Sequence, residues 1–95
     1  MIAANAARGE VVVPLAGTSR RLCLTLGALA ELESAFEVDG FGPLADRLRN
    51  LSARDLAFVL GALLRGGGEA GVDVSAIDFR EAAQAVAAAF TAASR

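Results

Sequence analysis

The chain has no histidine, no lysine, no tryptophan and no tyrosine, and a single cysteine in 95 residues. Each absence removes a class of chemistry. Without histidine there is no imidazole to act as a general base or metal ligand near neutral pH. A lone Cys23 can neither close an internal disulfide nor build a cysteine-based zinc site. Without lysine, a glycine-rich phosphate loop lacks its amine. With five phenylalanines as the only aromatics, the core must come from Leu, Val and Phe, with Ala allowing helices to approach closely.

What is present is apolar and mildly acidic. Hydrophobic residues make up 55% of the chain and the net charge is −2, every basic residue being arginine. That balance disfavours nucleic acid, which is normally met by a basic stripe, and the pair Arg20-Arg21 is too small to be one. The first ten residues have no basic region followed by a long apolar run, so a signal peptide is not expected. The uncharged run from Ala82 to Ser94 is too short to span a bilayer. Neither a membrane association nor a cofactor or metal is expected, and the location read from these signals is cytoplasmic.

Periodicity predicts one α+β domain over residues 9–93 behind a flexible lead over 1–8. Its fold is an N-terminal β-hairpin followed by a cluster of about four α-helices. Glu10 to Leu15 alternates as a strand with Val11, Val13 and Leu15 on one face. Ala16-Gly17-Thr18 supplies a turn, and Arg20 to Leu24 returns with Leu22 and Leu24 sharing a face. Pro14 cannot donate to a ladder and belongs on an edge strand. A hairpin alone is marginal in water, so it must pack on helices or gain a strand from another chain.

Thr25 caps a helix over Leu26–Phe36, with Leu29, Leu32 and Phe36 at helical spacing. Pro43 opens a short helix to about Arg49. Ser52 to Asp55 resembles a capping box and starts a helix from Ala53 to about Arg65, ended by Gly66-Gly67-Gly68. After a loop with one helical turn, Asp78 to Glu81 caps a last helix to about Ala92. Phe79, Ala83, Val86 and Phe90 share its apolar side.

Candidate chemistry is thin. Glu31 and Glu33 lie two apart on a helix, roughly 200° around the axis, so they cannot face one substrate and read as solvated charges. Arg65-Gly-Gly-Gly-Glu69 follows a helix rather than a strand and reads as a terminator and flexible loop. Cys23 as a nucleophile needs an activating base, and Arg21 is taken to point to the opposite face; a buried thiol is the simpler reading. An enzyme acting through Cys23 or a carboxylate is the reading that thiol labelling of the native protein would test. The apolar residues offered for partner contacts are Val11, Val13, Leu15, Leu29, Leu32 and Phe36.

Three segments in order carry a resemblance. They are Arg8-Gly-Glu-Val11, Leu24-Thr-Leu-Gly-Ala-Leu-Ala-Glu-Leu-Glu33, and Leu51-Ser-Ala-Arg-Asp-Leu56 with Val59-Leu-Gly-Ala-Leu-Leu-Arg-Gly-Gly-Gly68. Over residues 8 to 92 the chain resembles a small tail protein of gene transfer agents and related alphaproteobacterial prophages. That family is labelled a phage tail tube protein and grouped with tail assembly chaperones. The resemblance implies a non-enzymatic protein that works in phage-like particle assembly in the cytoplasm. Its implied role is a tail assembly chaperone that binds the tape measure protein or other tail proteins and can self-associate. The alternative is a structural tail (tube) component retained in the particle, a label that sits less easily with two strands.

Overall fold

Ala16 and Gly17 both have positive φ, 54° and 82°. Two such residues make the tight turn whose twist suits an antiparallel hairpin, and Gly17 accepts that conformation at no steric cost. The turn joins β1 (Glu10–Leu15) to β2 (Thr18–Cys23), with Leu15 opposite Thr18 and Glu10 opposite Cys23. Among the residues described by the computed structural model, 4–94, this is a two-stranded sheet followed by four helices: α1 (Leu26–Phe36), α2 (Phe41–Arg47), α3 (Ala53–Gly66) and α4 (Phe79–Ala93). The expected α+β arrangement is the observed one.

Local caps set most boundaries. The Thr25 hydroxyl accepts the Ala28 N–H at 3.1 Å, and Ser52 accepts the Asp55 N–H at 3.1 Å. The Asp78 carboxylate accepts the N–H groups of Arg80 and Glu81 at 3.1 and 3.3 Å. Each satisfies donors that the first helical turn leaves free. Neither acidic residue placed to complete a reciprocal box does so. Asp55 pairs with Arg47 at 3.3 Å, and Glu81 accepts the Ala16 N–H at 2.6 Å, tying the start of α4 to the hairpin turn.

Helix α2 begins at Phe41, two residues before Pro43. Pro43 still falls in the first turn, where its missing N–H has no intrahelical partner to lose. The earlier start follows from Glu33, whose carboxylate accepts the N–H of Gly40, the residue capping α2, at 2.6 Å. Short 3-10 turns occupy Leu48–Asn50 and Val74–Ala76.

The core lies between the inner face of the hairpin and the helices. Leu22, Leu32, Leu44, Val59, Leu60 and Leu63 have no exposed surface, and removing a leucine side chain from water contributes about 2 kcal/mol. Helix α4 buries a face that overlaps the expected one: Val86 is buried, and Ala83 and Phe90 are partly buried against the core. Ala82, Ala85, Val86 and Ala89 point inward, while Phe79 is 60% exposed. Small side chains win because α4 packs against β1, close enough that a Cβ on Gly9 would lie 3.6 Å from the Ala92 carbonyl oxygen and the Ala93 Cα.

The end of the lead expected over residues 1–8 bonds back to the start of β1. Ala6–Arg8 form a 3-10 turn, and Asn5 donates its N–H to the Glu10 carboxylate at 2.8 Å while its carbonyl accepts the Glu10 N–H at 3.1 Å. Residues 1–3 of that lead lie outside the described residues.

Candidate functional site

The hairpin's two edges differ. Leu15 and Thr18 close the turn as a hydrogen-bonded pair, so bonded and non-bonded pairs alternate from there. Backbone groups of Ser19, Arg21 and Cys23 on β2, and of Glu10, Val12 and Pro14 on β1, therefore face outward. On β2 the end of α3 covers that edge. The Arg21 N–H donates to the Glu69 carboxylate at 3.0 Å, and the other Glu69 oxygen takes the Arg20 guanidinium at 3.3 Å. A Cβ on Gly66 would sit 2.2 Å from the Cys23 carbonyl oxygen, and one on Gly67 would sit 2.1 Å from that of Arg21. The glycine run, read from sequence as a helix terminator and flexible loop, does end α3, and it also brings backbone against backbone at the β2 edge. The Arg21 amide bond, with help from Arg20, holds the Glu69 carboxyl below the usual range for a glutamate.

On β1 the outward donors are mostly spent. Glu10 N–H goes to Asn5, Ala16 N–H goes to Glu81, and Pro14 has none. Val12 keeps the one outward N–H along this strand. The outer face carries Glu10, 8% exposed, between Arg8 at 3.0 Å and Arg21 at 3.4 Å. Cys23 is buried on the same face, its S–H donating to the Arg8 carbonyl at 3.3 Å. Arg21 shares that face, since residues two apart on a strand point the same way, which corrects the sequence reading. Burial pushes the Cys23 thiol pKa up, Arg8 partly opposing this, away from nucleophilic character.

The six residues offered as partner contacts divide by depth. Leu15 and Leu32 are 2% and 0% exposed, so neither can touch a partner unless the core opens. Val11, Val13, Leu29 and Phe36 are partly buried and packed against the core. Phe36 meets Phe58 edge-on at 6.3 Å, under the Arg47 guanidinium at 4.9 Å. Glu31, taken as solvated, pairs with Arg65.

The six residues offered from sequence leave out the place where α2, α3 and α4 meet. There Leu48, Leu51, Leu56, Phe79, Val86 and Phe90 line an apolar cleft of about 330 Å³, with Arg49 its single charged lining residue. Phe41 packs on Phe90 at 5.6 Å and steadies one wall. A second hollow, of about 320 Å³, lies on the far side of Phe79 and Leu56, with Arg54 its single charged lining residue. The sequence signal was there to read: Phe79 and Phe90 are the only aromatics on a helix otherwise rich in alanine.

Among the described residues no group of three or more His, Cys, Asp and Glu is placed to hold a metal ion, and no helix is long and apolar enough to cross a membrane. The two hollows are mostly apolar, each with one arginine in its lining. The chain belongs to the family described as phage tail tube protein, GTA-gp10, whose model matches residues 8–95. It is a tail protein of the phage and gene transfer agent kind, and its family is a structural one rather than a known enzyme family. No curated protein and no solved structure matches the chain.

Proposed function

We propose that the protein is a structural component of a phage-like tail, retained in the particle, that acts through contacts with other tail proteins and without catalysis. The observation that carries this reading is the family relationship, which extends over nearly the whole domain. The raised thiol pKa of Cys23 and the pairing of Glu31 and Glu69 with arginines support the non-catalytic part. Assembly in the bacterial cytoplasm, with self-association or binding to neighbouring tail proteins, belongs to the same proposal. Quantitative mass spectrometry of purified particles tests it. Recovery in fixed ratio to other tail proteins is expected; presence in the producing cell and absence from finished particles overturns it.

A second reading, an assembly chaperone for the tape measure protein, is favoured by the strand edges. A wall closed through continuous sheets needs open edges on both sides. Here β2 is sealed, and along β1 the Val12 N–H is the one outward donor left. Co-expression with the tape measure protein separates the two: a stable complex that is lost from the finished particle identifies a chaperone.

A further inference from the structure

The segment that precedes β1 adds little to the core: Ala4, Asn5, Ala7 and Arg8 are all exposed. Its ties converge on Glu10. The Glu10 carboxylate accepts the Asn5 N–H at 2.8 Å and pairs with Arg8 at 3.0 Å, and the Glu10 N–H donates to the Asn5 carbonyl at 3.1 Å. On the outer face of the hairpin, the Cys23 S–H donates to the Arg8 carbonyl at 3.3 Å. A segment held by polar contacts, with exposed side chains, opens at a fraction of the cost of unfolding the domain. Gly9, with φ at 74°, is the joint on which it turns. Opening frees the Glu10 N–H, which points outward two residues from the Val12 N–H. The β1 edge then presents two donors at ladder spacing instead of one.

We infer that residues 4–8 are a strap guarding the β1 edge, and that when the strap lifts β1 pairs antiparallel with β1 of a second copy of this chain. The edge is complementary to itself in one register. Setting Glu10 opposite the second copy's Val12 lets both donors of each chain meet outward carbonyls of the other, about a two-fold axis at Val11. Pro14, which has no N–H to offer, falls beyond the paired residues and loses nothing there. With the strap closed, Val12 can pair only with its own counterpart, and half of that ladder is missing. The sealed β2 edge makes the association stop at two copies, since each chain has one edge to give. Joining two hairpins into one sheet also relieves the weakness of a two-stranded sheet.

The inference deepens the self-association proposed above, yet it fails separately. The test compares the purified full chain with Arg8→Glu, which sets a like charge beside Glu10 and leaves β1 unchanged. Alkylation by iodoacetamide of Cys23, the single cysteine, reports opening of the strap, and light scattering reports association. Arg8→Glu should be alkylated about tenfold faster and should dimerise at a concentration about tenfold lower, because a charge-assisted contact of the closed strap is gone. Adding Val12→Asp should return it to a monomer while alkylation stays fast. Within one chain that aspartate lies opposite Arg21, but across the pair it meets the second copy's Glu10. Val12→Pro, which removes the outward N–H as Pro14 already does two residues on, should act alike. Circular dichroism checks that each variant keeps its helices. Unchanged alkylation of Arg8→Glu, fast alkylation without association, or a dimer that survives both changes at Val12 each overturns the inference. Absence of the protein from finished particles defeats the structural-component reading instead, and leaves a dimer measured in solution standing.

Discussion

Where α3 runs out against β2, backbone meets backbone, and the outward amide of Arg21 is matched to Glu69. Where α2, α3 and α4 converge, phenylalanine side chains border open clefts whose charged lining residues are Arg49 and Arg54. The two regions sit on the same small core but carry different duties. The first closes a strand edge that could otherwise pair with any extended chain, and it does so with residues that have no alternative. The second holds apolar surface out of the core although α4 had larger side chains to bury. Substitutions should therefore cost stability in the first region and leave it nearly intact in the second.

The largest effect is expected at Gly67. A Cβ there would lie 2.1 Å from the Arg21 carbonyl oxygen and 2.6 Å from its carbon, both backbone atoms of the hairpin. The clash cannot be relieved by turning a side chain, so α3 and β2 must separate. Gly67→Ala should lose on the order of 3 kcal/mol in urea unfolding. A wild-type midpoint would mean that the seal is not part of the stable fold, and the comparison would break.

Glu69→Ala comes next. It leaves the Arg21 N–H without its acceptor in a half-buried place, and should cost about 1–3 kcal/mol. Acid tests the same contact. The Glu69 carboxyl is held below its ordinary value, so the folded state binds fewer protons there than the unfolded state. Its contribution is complete above the unfolded carboxylate value of roughly pH 4, and is lost as pH falls through the lower folded value. The wild type should lose stability over that acid interval more steeply than Glu69→Ala. Parallel pH profiles of the two unfolding midpoints would remove Glu69 as the cause.

These contacts also mark what could be read in advance. Thr25, Ser52 and Asp78 were legible as caps because each bonds within three residues. The hairpin was legible from alternation and the glycine at its turn. Glu69 was not, because its partner is 48 positions away, and no local pattern separates a sealing carboxylate from a loop charge. Pro43 misled for a related reason: Glu33 caps the next helix at Gly40 across seven positions and fixes its start earlier. The face of α4 was legible in part: Ala83, Val86 and Phe90 pack on the core as expected, and Phe79 does not. Hydrophobicity alone ranks phenylalanine above alanine for the core, but a strand lying close to the helix accepts only the smaller side chain. That choice leaves Phe79 outside, beside the cleft.

A smaller effect, of opposite sign, is expected at the hairpin turn. Ala16 holds φ at 54°, a left-handed conformation that its Cβ disfavours and asparagine tolerates better. The Ala16→Asn variant keeps the backbone N–H that binds Glu81 and should raise stability by about 0.5 kcal/mol. Unfolding at equal pH checks it. Loss of stability would show that the turn is set by Glu81 and α4 rather than by its own residues, which would extend the closed region around the whole hairpin.

The smallest effect, and the one that sharpens the contrast most, is at Phe79. Its side chain is 60% exposed and it occupies the first position of α4, where serine is well tolerated and the Asp78 cap remains in place. Phe79→Ser should move the unfolding free energy by no more than about 0.5 kcal/mol. A large aromatic that can be removed without loss is not contributing to the fold, and its retention on an alanine-rich helix then points to a contact outside the chain. A loss closer to that of a buried phenylalanine, about 3 kcal/mol or more, would instead make the ridge part of the core. The clefts beside it would then be imperfect packing, and the two regions would differ in degree rather than in purpose.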